Sequence, residues 1–102
     1  MDGEKLKVRL YHEGKLIASV EVIDGNPVMD IKDAAAKRYL HDGMSLKDFN
    51  GFLSRRAFPN RHDQGTADAL RELGLPRYDL YEILKKTHGV MLHDKISLDL
   101  ET

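Results

Sequence analysis

The stretch KLKVRLYHEGKLIASVEVI (5–23) decides the fold of this 102-residue chain. In its first half, Leu6, Val8 and Leu10 alternate with polar side chains, a two-residue period that is typical of a strand with one buried face. Glu-Gly at 13–14 is short enough to reverse the chain into a second strand. The apolar residues that this second strand turns to one face are Leu16, Ala18, Val20 and Val22. The stretch therefore predicts a β-hairpin whose inner face belongs to the core.

Two further segments bear on the sheet. After the turn DGNP (24–27), VMDIK (28–32) is either a third short strand or the approach to a helix, and the pattern leaves both open. The segment KISLDL (95–100) returns to the two-residue period through Ile96, Leu98 and Leu100. We expect it to join the hairpin as an outer strand and to bury these three side chains with the hairpin's inner face.

Between these strands the hydrophobic period becomes helical. Each of four segments opens with a capping residue, and three of them stop at or before a glycine. They are DAAAKRYLHDG (33–43), SLKDFNGFLSRR (45–56), DQGTADALREL (63–73) and DLYEILKKTHG (79–89). Their periodicity turns inward Leu70, Leu73, Ile83 and Leu84.

The prediction is a single α+β domain spanning 1–102. It has a hairpin at 5–23, a helical region at 33–89 and a C-terminal strand at 95–100. The small antiparallel sheet packs against three to four short helices.

The composition of the chain argues against several classes of function. The chain is 41% hydrophobic and 32% charged, as in globular domains, and its net charge of −1 argues against a dedicated polyanion binder. It has no cysteine, which excludes disulfides and thiolate metal sites. No apolar run is long enough for a membrane span, and MDGEKLK (1–7) lacks the apolar core of a secretory signal. We expect a cytoplasmic protein that does not bind membranes.

The sequence offers little for catalysis. The serines lie in no nucleophile motif, and no glycine-rich phosphate loop is present. His88, His93 and Asp94 suggest a metal site, but the two histidines lie five residues apart across a glycine, and ordinary surface histidines are the better interpretation. We therefore expect no enzyme activity, no metal, no cofactor and no small-molecule substrate.

The stretch FLSRRAFPNRHD (52–63) gathers basic residues around a proline. Helical spacing turns Arg56 inward with the phenylalanines, which predicts a structural arginine with a hydrogen-bonding partner, whereas Arg55 points about 100° away. Arg61 and His62 precede a helix start, where basic residues fit if an anion is present. That anion is either an internal carboxylate or an external phosphate, and solvation alone is the third alternative. Arg55, Arg61 and His62 are therefore the candidate anion- or partner-binding residues.

Two functions stay open. The first is a non-catalytic interaction or regulatory module with a protein partner. The alternative is a DNA- or RNA-binding domain that uses the 55–62 basic cluster and the helix pair at 66–88. Any αα-hairpin joined by GLP would give the same pattern, and Asp79 and Glu82 would repel phosphates at the start of the second helix.

The C-terminal half resembles a group of small bacterial proteins that often occur on mobile elements, some with distant HipA-like character. The shared pattern is FLxxRxxP, LG, YD, KTxG and HD. The matching residues are Phe52, Leu53, Arg56, Pro59, Leu73, Gly74, Tyr78, Asp79, Lys86, Thr87, Gly89, His93 and Asp94. The spacing between Pro59 and Leu73 is about one residue longer than in the group, and the aromatic expected after HD is missing. The group implies no established activity, and the catalytic motifs of HipA-type kinases do not occur. The resemblance implies a binding or regulatory domain.

Overall fold

The computed structural model describes residues 6–91 and 94–101, and the fold is α+β, as predicted. Strands β1 (Leu6–His12), β2 (Lys15–Ile23) and β3 (Asn26–Ile31) come first, followed by a 3-10 helix at Ala34–Arg38. Then come helices α1 (Leu46–Ser54), α2 (Gln64–Leu73) and α3 (Leu80–Thr87), and finally strand β4 (Ile96–Glu101). The four strands form one antiparallel sheet in the order β3-β2-β1-β4. Its two edges are β3, which takes the strand alternative left open for 28–32, and the predicted C-terminal strand β4.

One face of the sheet forms the core with the helices. Of the side chains predicted to line it, all but Leu16 are buried, namely Leu6, Val8, Leu10, Ala18, Val20, Val22, Ile96, Leu98 and Leu100. Phe49, Phe52 and Leu53 of α1 and Leu84 of α3 belong to the same core, and Ile83 of α3 is buried as well. The opposite face carries mostly polar side chains, as antiparallel sheets commonly do.

The prediction for Leu16 is wrong because of a β-bulge. Leu10 pairs with Ala18, but the next residue, Tyr11, pairs with Leu16, which leaves Ile17 as an extra residue in β2. An extra residue shifts the alternation by one position. Ile17 is therefore buried beside Ala18, and Leu16 stands only half-buried on the opposite face.

The helix expected at 33–43 is shorter and tighter than its pattern suggested. Asp33 accepts a hydrogen bond from the Ala35 amide, as a cap should, but only Ala34–Arg38 is helical, and it is a 3-10 helix. The backbone amides of Lys32 and Asp33 both donate to the Ile17 carbonyl at the bulge. These bonds hold the start of the segment against β2, and Leu40 and Met44 are buried further along it.

The other three helices begin at the predicted caps. Ser45, Asp63 and Asp79 each accept a hydrogen bond from the backbone amide three residues later. Helix α2 stops at Gly74 in a Schellman motif, with hydrogen bonds from Gly74 to the Arg71 carbonyl and from Leu75 to the Leu70 carbonyl. Helix α3 ends at Thr87, one residue earlier than a stop at Gly89 implies, because His88 and Gly89 both adopt the left-handed conformation.

Helix α2 lies at the periphery of the domain. Its single buried residue is Thr66, and the prediction that Leu70 and Leu73 are buried is wrong, since both are only half-buried. The corresponding prediction for Ile83 and Leu84 in α3 is confirmed. Across the described residues, no helix has the length and apolar character needed to cross a membrane.

Candidate functional site

Arg56 lies two residues beyond α1 and is buried, with 6% of its surface exposed. Its Nε donates to the Gly89 carbonyl at 3.0 Å, and its Nη1 and Nη2 donate to the two Asp94 carboxylate oxygens at 2.8 and 2.9 Å. Nη2 also donates to the Ile96 carbonyl at 3.2 Å. The planar fork of arginine suits this bidentate arrangement. The inward orientation follows the helical spacing, and the hydrogen-bonding partners of Arg56 are one carboxylate and two main-chain carbonyls.

Gly89 allows this close packing between α3 and β4. It has φ +59°, and a Cβ atom built on it would lie 2.9 Å from Leu98 Cδ1 and 3.3 Å from Arg56 Cβ. Both the backbone conformation and the space therefore favour glycine.

The outer edge of β4 is covered by the residues that end α1 and α3. The Leu98 amide donates to the His88 carbonyl at 2.7 Å, and the Leu98 carbonyl lies 3.2 Å from His88 Nδ1. The Ile96 carbonyl accepts from Arg56. Since these main-chain groups point away from β1, the bonds occupy positions at Ile96 and Leu98 where another strand would pair, whereas Leu100 makes no such bond within 6–91 and 94–101.

The remaining basic residues of the 52–63 stretch do not join Arg56. Arg55, Arg61 and His62 are all exposed. The Asp63 carboxylate, which caps α2, is the acid whose charge interacts with the Arg61 guanidinium. The Thr66 amide, and to a smaller extent the Arg61 guanidinium, lower the pKa of Asp63 below its ordinary value.

Two hydrogen bonds and one aromatic contact hold the loop that carries Arg61 and His62. The Tyr78 hydroxyl donates to the Phe58 carbonyl at 2.6 Å, and the two rings meet edge to face with centroids 5.8 Å apart. Burial raises the pKa of Tyr78. The Arg61 amide also donates to Thr66 Oγ1. These contacts fix the Pro59 loop against the α2–α3 connection, so that Arg61 and His62 stand on an ordered surface.

The outer edge of β3 differs from that of β4. The Lys32 amide donates to Ile17 in β2, so by alternation the main-chain groups of Asn26, Val28 and Asp30 also face β2. Those of Pro27, Met29 and Ile31 then point outward, and within 6–91 and 94–101 their outward groups make no hydrogen bond. The β3 edge, which we define as these three residues, is an open strand edge with a proline at one end.

Two exposed apolar side chains accompany the β3 edge. Ile23 is 44% exposed and Val28 is 54% exposed, and the register places both on the uncovered face of the sheet. Asp30 lies on the same face and pairs with Lys32 at 2.9 Å. An open edge flanked by exposed apolar residues is a feature of strand-pairing surfaces.

The structure brings together little that resembles an active site. A shallow depression of about 330 Å³ is lined by Asn50, Asp79, Leu80 and Tyr81. Its polar groups already serve the fold, because Asp79 caps α3 and the Tyr81 hydroxyl donates to Asn50. Among the residues described, no cluster of three potential ligands could hold a metal ion. His93, part of the metal hypothesis, lies outside the described residues, and Asp94 binds Arg56.

Sequence reasoning missed two features of these surfaces. The first is Asp94 as the partner of Arg56, for which the only signal was an acid just before the last strand. The second is the β3 edge, whose signal was the alternation in PVMDIK (27–32) behind a proline. No protein-family model, no curated protein and no solved structure matches the chain. The resemblance to the mobile-element group therefore stays a prediction.

Proposed function

We propose that the chain is a non-catalytic protein-interaction module that binds extended segments of other chains along the β3 edge. The contrast between the two edges of the sheet carries this proposal. The β4 edge is covered by Arg56 and His88, whereas the amides of Met29 and Ile31 are left as donors on the β3 edge. Main-chain hydrogen bonds to an added strand supply affinity, and pockets or patches for alternate side chains supply selectivity.

The surroundings of the β3 edge suit a protein partner better than a nucleic acid. Ile23 and Val28 offer apolar surface to a partner side chain. Glu21 and Asp30 lie beside them on the same sheet face and would repel phosphates. A regulatory role in the cytoplasm of a bacterium, as part of a mobile element, rests on the resemblance alone and is proposed on that basis.

A nucleic-acid interface at Arg55, Arg61 and His62 is the second candidate. The observation that favours it is that all three side chains are exposed on one ordered stretch that ends at α2. Against it stand two acidic helix starts, Asp63 at α2 and Asp79 at α3, which would repel phosphates.

Peptide selection tests the first proposal. Random linear peptides would be selected on the parent protein at low protein concentration. Their binding to the parent protein and to the Met29→Pro variant would then be compared. The Met29 amide points away from β2, so proline at 29 removes an outward donor without removing a β2–β3 hydrogen bond. We expect selected peptides to bind this variant about tenfold more weakly or worse, and to shift the amide resonances of Met29 and Ile31 in the parent protein. Equal binding to both proteins, or shifts confined to other strands, would contradict the proposal.

Retardation of nucleic acid separates the two candidates. The interaction-module proposal predicts no retention of a generic duplex or single strand at about 50 mM salt, where phosphate contacts are strong. Retention that falls steeply with salt and is lost in Arg55→Ala/Arg61→Ala would support the second candidate instead. Lys37→Ala/Lys47→Ala, which removes two exposed cations elsewhere, is the matched control.

A further inference from the structure

We infer that the partner of the β3 edge is a second copy of this chain, paired antiparallel about a two-fold axis at Met29. The inference rests on the proposed function and specifies its partner. The two four-stranded sheets would become one sheet of eight strands, with β3 of each copy at its centre. The main chain, the side chains and the opposite edge each support this arrangement.

The main-chain groups of the edge complement one another in this register. Met29 faces Met29 of the second copy, and the two residues exchange both N–H···O bonds. Ile31 faces Pro27 of the second copy and donates to its carbonyl. Proline has no amide to return, so the edge of each copy has two donors, those of Met29 and Ile31. All four donors of the pair find an acceptor, and every paired residue lies within β3.

The side chains on the helix-covered side also match. Pro27, Met29 and Ile31 are all half-buried, and Met29 and Ile31 pack against the core. The register places Met29 against Met29 and Ile31 against Pro27, so an apolar row meets an apolar row. Pairing would thereby continue the core of one copy into the other.

Charge on the uncovered face of the sheet favours the Met29-centred register over the neighbouring register that is centred on Asp30. A slip of one residue on each strand would place Asp30 directly opposite Asp30 of the second copy, in a closely spaced pair of like charges. In the Met29-centred register Asp30 instead faces Val28 and keeps its own Lys32, 2.9 Å away. Lys32, the residue after β3, would lie opposite Asn26 of the second copy.

The covered β4 edge makes the assembly finite. Pairing of β3 with β4 would build an open chain of molecules, but His88 already binds Leu98 and Arg56 already binds Ile96. Among the described strands, β3 is the one whose outer edge is open along its length, which favours the pairing of β3 with β3. This pairing uses the same surface twice and therefore closes as a two-fold dimer.

The first test uses the unmodified chain. Sedimentation over roughly a hundredfold range of concentration should show conversion from the monomer mass to twice that mass, because dimer population follows mass action. Residue-resolved hydrogen exchange in the same series should slow at the Met29 and Ile31 amides and stay constant at Leu98. A monomer at every concentration, or a dimer without added protection at these two amides, would overturn the inference.

The second test determines the register. The chain has no cysteine, so single-cysteine variants report one contact each. Hydrogen-bonded antiparallel partners have Cα atoms about 5.5 Å apart, within the range that a disulfide spans. Met29→Cys should therefore form a disulfide-linked dimer at least tenfold faster than Val90→Cys, a control at a site that is 62% exposed. Equal rates, or faster linkage of Val28→Cys than of Met29→Cys, would overturn the Met29-centred pairing.

The outcomes separate this inference from the proposed function. Selected peptides that bind the β3 edge of a strictly monomeric protein would overturn self-pairing and leave the interaction module standing. Salt-dependent nucleic-acid binding through Arg55 and Arg61, with no binding at the β3 edge, would overturn both. A dimer that persists in folded Met29→Pro would place the contact on another surface.

Discussion

Replacing Arg56 with alanine tests the central ion pair of the domain. The change leaves the Asp94 carboxylate without its guanidinium and removes the donors of two main-chain carbonyls, those of Gly89 and Ile96. It also separates the end of α1 from the α3–β4 connection, which Arg56 joins across 33 to 40 residues of sequence. The fold should survive but lose a substantial part of its stability.

The size of the loss follows from the burial of the two partners. Breaking a buried ion pair costs about 3–5 kcal/mol, because the remaining charge is uncompensated. The Arg56 side chain is 5% exposed but that of Asp94 is 27% exposed, so water can reach the Asp94 carboxylate, which also accepts from the Ile96 amide, and lower the cost. The two carbonyls add about 1 kcal/mol each at the lower end of the range for unsatisfied groups. With the ion-pair share reduced by solvation to about 0–2 kcal/mol, we expect a net loss of about 2–4 kcal/mol.

Urea denaturation measures this loss. With an m-value of about 1–1.5 kcal/mol/M for a domain of this size, the midpoint should fall by roughly 2–3 M. Arg55→Ala, at the exposed neighbouring position, is the matched control and should change stability by less than about 1 kcal/mol. Arg56→Lys keeps the charge but loses the bidentate fork, and should fall between the two. If Arg56→Ala costs no more than Arg55→Ala, the buried pair does not stabilise the fold.

Two further predictions concern a glycine and a helix cap. Gly89→Ala should lower the free energy of unfolding by about 2–4 kcal/mol, and Gly43→Ala by about 1–2 kcal/mol. Both glycines have positive φ, but only a Cβ atom at Gly89 would meet Leu98. Equal losses of stability in thermal unfolding would argue against the steric reason. The pKa of Asp63 lies below its ordinary value of 3.8 in the folded chain, so its cap stabilises α2 fully above that value and is lost as the pH falls through the lower folded pKa. The Thr66 amide resonance should follow this titration, whereas in Asp63→Asn, which keeps a capping oxygen without the carboxylate, it should not; a titration that persists in the variant would refute this assignment.

The sheet could be predicted because its signals are local. Alternation in β1 and β2 fixes which side chains face inward, and the same alternation identified the C-terminal strand without specifying its neighbour. The bulge could not be predicted in this way, because Leu16 and Ile17 are equally apolar and only the pairing with Tyr11 decides between them. The burial of α2 was overestimated for a related reason. Its pattern gives the direction of the apolar side but not how much of the core that side reaches.

The candidate site was predictable up to the point where distant segments meet. Helical spacing turned Arg56 inward and Arg55 outward, and the structure has this arrangement. Asp94 lies 38 residues away, and nothing in the local pattern distinguishes it from other acids. The β3 edge depends on strand order, which places β3 outermost and β1 inside. An edge is a property of the whole sheet and therefore has no sequence signature of its own.

The order of strands also constrains how the chain matures during synthesis. β1 pairs with β2 as soon as the hairpin emerges, but its other side waits for β4, which leaves the ribosome after all three helices. Until then the main-chain groups of Lys7, Arg9 and Tyr11, on the edge of β1 that later pairs with β4, have no partner strand. Arg56 likewise lacks Asp94 and the Ile96 carbonyl. A nascent chain that stops before Ile96 has two open strand edges instead of one. Premature termination should therefore yield a species prone to aggregation. Pairing of β4 with β1 removes this additional open edge.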